Sequence, residues 1–209
     1  MSPNASPRAR SPRTAYRAPR PKRGTPEETR DRLVAAAAEL FNQNGYDGTD
    51  TNRIAREAGY SPGLFYKHFA DKRAIFIAVY DAWVAEEWRA VETLLAQPSV
   101  DTPRELVATI VTLHRRWRGF RRSLRSLAGR DPTIKRAHLK GRKRQLATMA
   151  RLREEGRISH AGDPAHDLLL LYTLERIADA HAEREIDTQG IDPTALLAVL
   201  EDLVRDALT

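Results

Sequence analysis

The sequence of 209 residues has no cysteine and no apolar run long enough to cross a membrane. The missing cysteines exclude a disulfide scaffold, a thiolate metal site and a cysteine nucleophile. The longest unbroken apolar runs, residues 74–80 and 168–172, are far shorter than the ~20 residues of a membrane-spanning helix. The basic N-terminus also lacks the apolar segment of a signal peptide. We therefore expect a soluble, cytoplasmic protein that has no membrane partner.

Acidic residues are absent from the first 26 positions, where seven of the 35 basic residues lie. This segment accounts for the whole net charge of +7, because the remaining residues hold 28 basic and 28 acidic side chains. Within the body, residues 115–157 carry 16 basic and 3 acidic residues, whereas residues 158–209 carry 3 basic and 11 acidic ones. The balanced body argues against an architectural protein that binds DNA through charge alone.

Residues 1–24 form a tail that is rich in proline, serine and arginine. Such a composition cannot bury apolar surface, so we expect the tail to be disordered. Two roles are open for it. The tail is either a solubilising leader or a basic arm that lies along phosphates or in the minor groove of DNA.

Signals for β-strands are missing, and the starts of helices are clear. A serine, threonine or aspartate that precedes a proline favours a helix start, since the first residue caps the free amides and proline needs no N–H there. This pair begins at Thr25, Ser61, Thr102, Asp131, Asp163 and Asp192. Thr25 with Glu28 and Thr102 with Glu105 have the spacing of capping boxes. The sequence therefore predicts an all-α protein with helices over residues 26–43, 50–58, 62–69, 72–96, 103–118, 121–129, 132–155, 164–186 and 193–208.

Residues 45–72 have the pattern of a helix-turn-helix. Gly59 supplies the left-handed conformation that ends one short helix, and Ser61 and Pro62 are expected to cap and begin the next. The outward positions of the second helix include Tyr66 and Lys67. Because helical hairpins of this shape also occur in proteins that do not bind DNA, the spacing alone leaves the function open.

The residues of this segment, together with residues 27–44 before it, resemble the DNA-binding domain of TetR-family bacterial transcription factors. Tyr60 departs from the family pattern, in which a smaller aliphatic residue is usual. Beyond residue 75, only the general helical layout is similar. The resemblance is carried by Ala36, Ala37, Leu40, Phe41, Gly45, Tyr46, Thr49, Ile54, Ala55, Ala58, Gly59, Ser61, Gly63, Tyr66, His68, Phe69 and Lys72.

The resemblance implies a domain organisation and a set of DNA contacts. After the tail, residues 25–71 would form a three-helix DNA-binding domain, and residues 72–209 a six-helix domain for ligand binding and dimerisation. Thr49 and Thr51 would contact phosphate, and Tyr66 and Lys72 would anchor the DNA backbone on either side of the groove. Near the base edges and phosphates would lie Ser61, Pro62, Gly63, Lys67 and His68.

The resemblance also implies a small-molecule pocket among the fourth to eighth helices, although for each candidate a place in a packed core or on an exposed face is favoured over ligand contact. Glu87 is the unusual candidate, because it lies on an apolar stripe and, if buried, needs a cationic or hydrogen-bonding partner. The candidates are Trp83, Glu87, His114, Trp117, Leu146, Met149, Tyr172 and Arg176.

The basic stretch at residues 115–157 has three possible explanations. It is compensated by the acidic last helices, it binds an anionic effector such as an acyl-coenzyme A, or it makes an additional DNA contact. The first explanation is favoured.

The last two helices are expected to form a homodimer, since the final helix has apolar residues for two contact faces. A two-fold dimer would bind a palindromic operator on the bacterial nucleoid. We expect a repressor that a small-molecule effector releases, with the fourth helix as the lever; an activator of the same fold is the alternative.

An enzyme is the competing class, and it rests on a cluster of metal-binding residue types: His160, Asp163, His166 and Asp167. Asp163 and Pro164 are already explained as a helix start, and the sequence has no nucleophile elbow, phosphate loop or HExxH motif. We therefore expect no catalytic residues, no metal and no cofactor.

Overall fold

The computed structural model describes residues 24–158 and 163–208, and these residues form nine α-helices, one short 3-10 helix and no strand. The prediction of an all-α fold is confirmed. The expectations for residues 1–23 of the tail and for His160 lie outside the described residues. The helices are α1 (Pro26–Asn44), α2 (Thr51–Glu57), α3 (Pro62–His68), α4 (Lys72–Ala96), α5 (Thr102–Arg116), α6 (Arg118–Arg130), α7 (Pro132–Glu154), α8 (Pro164–Ala182) and α9 (Pro193–Leu208), with the 3-10 helix at Ile186–Gln189.

One of the two predicted capping boxes forms and the other does not. At the start of α1, the Glu28 amide donates to Thr25 Oγ1 at 3.2 Å, and the Thr25 amide donates to Glu28 Oε2 at 3.0 Å. At α5 the prediction is wrong, because Thr102 is the first helical residue and its Oγ1 accepts a hydrogen bond from the Ser99 amide at 2.7 Å. The hydroxyl that was expected to cap α5 therefore stabilises the turn that precedes the helix.

Helix α8 ends four residues earlier than predicted. It stops at Ala182, Arg184 adopts a φ of 59°, and the chain then enters the 3-10 helix. A non-glycine residue in the left-handed region carries no sequence signal of the kind that glycine provides.

The first hydrophobic cluster joins α1, α2 and α3 to the first half of α4, to α6 and to the start of α7. Phe76 is central to it, with ring centroids 5.1 Å from Phe41 and 4.8 Å from Phe120. This packing runs directly across the predicted domain boundary between residues 71 and 72. The DNA-binding candidate region is therefore fixed on the rest of the molecule through a shared core.

A second hydrophobic cluster lies between the later part of α4, α5, the end of α7, α8 and α9. Leu106, Val107 and Ile110 of α5 are buried in it, together with Leu171 of α8 and Leu200 of α9. We call α1, α2 and α3 with the first half of α4 the head, and the helices around the second hydrophobic cluster the body. Helix α4 contributes to both hydrophobic clusters.

Asn42, near the end of α1, holds the junction of α5 and α6 through three hydrogen bonds. Its Nδ2 donates to the Arg116 carbonyl at 2.8 Å, and its Oδ1 accepts from the amides of Gly119 and Phe120 at 3.0 and 3.2 Å. Ser123 Oγ accepts from the Tyr46 amide at 3.1 Å one turn further along α6. Helix α6 is thus attached directly to the head.

Five charged side chains form a buried charge cluster in the body: His114, Arg121, Arg142, Glu175 and Asp179. Arg121 is only 3% exposed, and its Nε and Nη2 donate to the two carboxylate oxygens of Asp179 at 3.1 and 3.0 Å. His114 Nδ1 lies 2.9 Å from Asp179 Oδ1, and Arg142 pairs with Glu175. The cluster connects α5, α6, α7 and α8.

Five of the 16 basic residues at 115–157 pair with acidic residues that follow the stretch, and four more pair with acidic residues that precede it. Arg122 and Arg125 of α6 contact Glu183, and Arg153 of α7 contacts Asp167. Together with the buried charge cluster, these pairs support compensation as the explanation of the basic stretch.

The buried arginine also controls the ionisation of its partners. Burial alone raises the pKa of a carboxyl group, but the hydrogen bond from His114 and the charge and hydrogen bonds of Arg121 hold the pKa of Asp179 well below its usual value. The pKa of Glu175 is lowered in the same way, with burial opposed by Arg121 and Arg142. Burial lowers the pKa of His114, yet Asp179 and Glu87 more than offset this effect, so that the pKa is raised.

We predict that Gly119→Ala destabilises the fold by about 1–3 kcal/mol, the usual cost of overpacking. A Cβ at this position would lie 1.9 Å from the backbone oxygen of Asn42, which cannot move without distorting α1. Urea unfolding followed by far-UV circular dichroism measures the change.

Gly129→Ala in the same helix is the matched control, since a Cβ there meets nothing within 4 Å. It should stabilise the protein by about 0.5–1 kcal/mol, the difference between alanine and glycine in a helix. Equal stability of the two variants would contradict the close approach of α1 and α6.

We predict that Arg121→Met lowers the free energy of unfolding by about 1–3 kcal/mol, because it removes two hydrogen bonds to the buried carboxylate of Asp179, which keeps His114 and Arg125 as partners. Arg122→Met is the control, since Arg122 pairs with Glu183 at the surface and such pairs contribute about 0–1 kcal/mol. Urea unfolding near neutral pH compares the two variants.

The pH dependence gives a second measure of the same effect. Because the pKa values of Asp179 and Glu175 are lowered on folding, these carboxylates stabilise the protein above their unfolded pKa values of 3.8 and 4.5. That stability is lost as the pH falls through the folded pKa values. The difference in stability between the wild type and Arg121→Met should therefore shrink in acid; a constant difference would contradict the coupling.

Candidate nucleic-acid interface and ligand cavity

Helices α2 and α3 form the predicted helix-turn-helix around a small set of buried residues. Ile54, Ala55 and Phe65 are fully buried between the helices and α1. Asp50 caps α2 by accepting from the Arg53 amide at 2.8 Å. Gly59 has a φ of 81°, and the amides of Gly59 and Tyr60 donate back to Arg56 and Ala55 at 3.0 and 2.8 Å. This paired closure of the helix end needs the left-handed residue that glycine supplies, so the predicted role of Gly59 is confirmed.

The N-terminal part of α3 is exposed to solvent. Ser61, Pro62, Gly63 and Lys67 are all exposed, and Tyr66 retains 57% of its surface; His68 is half-buried. A Cβ added to Gly63 would meet no atom within 4 Å. Packing inside the protein therefore does not require glycine at this position, whereas close approach of an external surface would.

Ser61 does not make the capping hydrogen bond that its position predicts. It occupies the N-cap of α3, but its hydroxyl accepts no bond from the helix amides, so this part of the prediction is wrong. The hydroxyl stays exposed beside Pro62 and Gly63 at the end of the helix. Its position still suits a contact with a phosphate or base edge.

Thr51 and Tyr66 are brought together by a hydrogen bond of 3.0 Å between their hydroxyl oxygens. The bond joins the first turn of α2 to the middle of α3 and orients the phenol. Both hydroxyls lie at the surface, so each keeps acceptor or donor capacity for phosphate oxygens.

Thr49 differs from its expected role, and Lys72 has partners within the protein that were not expected. Thr49 is 2% exposed, and its hydroxyl donates to the carbonyl groups of Leu40 and Gly45, so the expected phosphate contact of its side chain is incorrect. Lys72 Nζ donates to the carbonyls of Tyr46 and Thr49 at 2.9 and 3.0 Å and lies 4.1 Å from the ring centroid of Tyr46. Both residues stabilise the loop between α1 and α2, which presents the helix-turn-helix.

Two basic residues of α2, Arg53 and Arg56, were missed by the sequence analysis. Both are exposed, and neither forms an ion pair with another described residue. Their spacing of three residues on a short helix is the signal that could have indicated them. They add positive charge to the surface of the helix-turn-helix.

A cavity of about 260 Å³ lies in the second hydrophobic cluster. Of the eight ligand-binding candidates, Glu87 and Met149 line it. The lining residues that sequence analysis missed as site residues include Trp88, Leu106, Ile110, Leu171, Leu174, Glu175, Leu203 and Val204. Most of these are apolar residues at helical spacing. The same sequence pattern occurs in a filled core and in the wall of a cavity, so it does not distinguish between them.

The other candidates lie elsewhere. His114 is buried behind Glu87, and Leu146 is half-buried against the second hydrophobic cluster. Trp83 and Trp117 line a separate cleft of about 410 Å³ between α1 and α4. Tyr172 and Arg176 are wrong as cavity residues, because Tyr172 is exposed on α8 and Arg176 pairs with Glu185 at the surface.

Within residues 24–158 and 163–208, no three histidine, aspartate or glutamate side chains are grouped to hold a metal ion. In the predicted cluster, Asp163 Oδ2 lies 3.3 Å from His166 Nδ1, and His160 lies outside the described residues. In the same ranges, no helix has the length and apolar character that a bilayer crossing requires.

Comparison with known proteins identifies the family of the helix-turn-helix. Residues 33–79 match the family model described as bacterial regulatory proteins, tetR family. The HTH-type transcriptional regulator HbdR of Aromatoleum sp. (strain CIB) is 40% identical over 72 residues, which are 32% of this chain and only 31% of HbdR. The HTH-type transcriptional repressor AcnR of Corynebacterium diphtheriae is 24% identical over 183 residues, covering 85% of this chain and 92% of AcnR.

A solved structure extends the similarity over the whole fold. The crystal structure of a TetR-family transcriptional regulator from Rhodococcus sp. superposes with a TM-score of 0.71 at 19% identity, covering 88% of this chain and 100% of that one. The identity is too low to carry more than the fold. Residues 33–79 therefore carry the helix-turn-helix of the tetR family of bacterial regulatory proteins, and the all-helical body behind it has the same fold as the Rhodococcus protein.

Proposed function

We propose that this protein is a transcriptional regulator that binds a palindromic DNA operator as a homodimer and represses until a small molecule releases it. The observation that carries the proposal is the exposed N-terminal face of α3, presented by a helix-turn-helix that matches the family model. No catalytic machinery forms part of the proposal.

The exposed face of α3 is suited to the major groove of DNA. Gly63 offers no side chain between the helix and its surroundings, which allows the backbone of α3 to approach closely. Tyr66 and Thr51 would contact phosphate, and Lys67 supplies a positive charge that no other described residue pairs. Phosphate contacts position the protein, and contacts to base edges specify the sequence. Few donors for base edges are present, so apolar contacts and DNA shape would contribute to specificity.

The outer faces of α8 and α9 support a homodimer. Leu169 and Tyr172 on α8 are 61% and 48% exposed, and Val199 and Leu203 on α9 are 66% and 38% exposed. The spacings of three and four residues place each pair on one face of its helix. Two helices from each protomer would form a four-helix interface, and two-fold symmetry would separate two recognition helices by about 34 Å. Tyr172 then belongs to the dimer interface.

A route from the cavity to the head supports control by an effector. Helix α4 runs from Lys72 in the head to Glu87 at the cavity, in agreement with its proposed role as lever. Helix α6 provides a second route, since Arg121 belongs to the buried charge cluster and the preceding turn is held by Asn42. The name of AcnR describes that relative as a repressor, which favours repression here.

The direct test is binding to the DNA that flanks the protein's own gene, measured by fluorescence anisotropy against a shuffled sequence at two salt concentrations. Tight binding to a palindrome with two protomers per site supports the proposal. A selection from random DNA follows if the flanking DNA is not preferred. Equal affinity for every sequence in that selection would overturn specific regulation.

We predict that Lys67→Ala weakens operator binding and reduces the slope of log affinity against log salt by about 1.8, because each of the two protomers loses one phosphate contact worth about 0.9. Lys143→Ala is the control, since Lys143 is an exposed lysine of α7 in the body. An unchanged slope for Lys67→Ala would remove Lys67 from the interface.

We predict that Val199→Glu raises the dimer dissociation constant at least about tenfold, because it buries an unpaired charge in an apolar interface. Sedimentation velocity measures the shift towards monomer, and operator affinity should fall with it. Leu139→Glu is the control, since Leu139 of α7 is 46% exposed outside the proposed interface. A dimer that both variants leave intact would contradict the use of α9.

A further inference from the structure

The charged side chains that line the cavity in the second hydrophobic cluster are acidic apart from one histidine, and two of them, Asp167 and Glu175, pair with Arg153 and Arg142. Sixteen of its lining side chains are apolar, and the five polar ones are four carboxylates and a histidine. Among the described residues, no lysine or arginine lines it. The carboxylates belong to Glu87, Asp167, Glu175 and Asp206, and the histidine is His166.

Glu87 is the carboxylate whose position most clearly favours a ligand. It is only 7% exposed, and it lies on α4 beside the apolar side chains of Trp88 and Val91. One carboxylate oxygen, Oε2, is buried 3.3 Å from His114 Nε2, and no described residue donates a hydrogen bond to the carboxylate. A buried carboxylate oxygen without a donor is costly, so a donor inside the cavity would be bound favourably.

The arginines near the cavity are already engaged. Arg121 donates to Asp179 and lies 4.5 Å from the ring centroid of Trp83, and Arg142 pairs with Glu175 and lies 4.7 Å from that of Tyr172. Both guanidinium groups retain N–H groups without a hydrogen bond, but neither residue lines the cavity. An anionic effector such as an acyl-coenzyme A would therefore meet carboxylates rather than free cations.

The size of the cavity limits the occupant further. A volume of about 260 Å³ accommodates a compact apolar group, such as a single alkyl chain of about eight carbons or one or two fused rings.

We propose that the effector is a compact apolar molecule with a protonated amine, and that the amine binds the carboxylate of Glu87. This inference rests on the proposed function, since it names the chemical class of the molecule that would release the operator. The apolar body would fill the space between Trp88, Ile110 and Leu174, and the ammonium group would meet the carboxylate wall.

Three probes with the same eight-carbon chain test the charge preference: octylamine, octan-1-ol and octanoate. At neutral pH the first is cationic, the second is neutral and the third is anionic. Isothermal titration calorimetry with the full-length protein and no DNA gives the three affinities. We expect octylamine to bind at least about tenfold more tightly than octanoate, with octan-1-ol between them, because the wall offers acceptors and negative charge.

Glu87→Gln tests the contact itself. It keeps the shape of the side chain and removes its charge, so it should reduce the preference for octylamine over octan-1-ol by about tenfold while octan-1-ol binds as before. Glu92→Gln is the matched control on the same helix, since Glu92 pairs with Arg151 at the surface and does not line the cavity. Circular dichroism establishes that both variants are folded.

Several outcomes would overturn the proposal. Octanoate that binds as tightly as octylamine would reject the cationic class, and the absence of binding by all three probes would reject a ligand of this size. If Glu87→Gln does not fold, the three affinities of the wild type still decide the charge preference. The titration contains no DNA, so a negative result in it does not bear on operator binding. A negative result in the operator assay likewise does not bear on the ligand preference of the cavity.

Discussion

The structure depends on the buried pairing of Arg121 with Asp179. A guanidinium that is 3% exposed is stable only when its hydrogen bonds are directed at a carboxylate, and that requirement sets the relative position of α6 and α8. His114 and Glu175 extend the pairing to α5 and α7 through Asp179 and Arg142. Four helices of the body therefore share one polar arrangement in an otherwise apolar interior, and a shift of any one helix would disturb the pairing of the others.

The same arrangement lies between the cavity and the head. On one side, Glu87 is 3.3 Å from His114 and faces the cavity; on the other, Arg121 follows directly on the turn that Asn42 holds. A ligand that changes the charge balance at Glu87 would act on groups whose partners are connected to α6, and α6 contacts α1 of the head. Coupling between two such sites is commonly worth about 1–3 kcal/mol, which suffices to change operator occupancy. The shared core around Phe76 allows the head to follow the movement as a unit.

Much of the fold could be predicted because its signals are local. The cap at Thr25, the glycine at Gly59 and the proline at Pro62 act within one turn of their own positions, and each appears in the structure where it was expected. The failures involve choices between local and distant partners. Thr49 has a hydroxyl that suits a phosphate, but this hydroxyl donates to the carbonyls of Leu40 and Gly45, and Lys72 has the carbonyls of Tyr46 and Thr49 as partners that its position in the sequence did not indicate. The spacing of residues in the sequence does not show which partner a hydrogen-bonding side chain will have.

The sequence by itself determined that the chain is helical, where most of its helices begin, and that residues 45–72 form a helix-turn-helix, because capping, helical periodicity and turn chemistry act over a few residues. Only the tertiary structure decided that Tyr172 lies on the outside of α8, that Glu87 faces a cavity, and that Arg121 meets Asp179 across 58 positions of the chain. Apolar residues at helical spacing have the same pattern in a filled core, in a cavity wall and in a dimer face. The packing of distant helices distinguishes them, since it determines which face of each helix is covered.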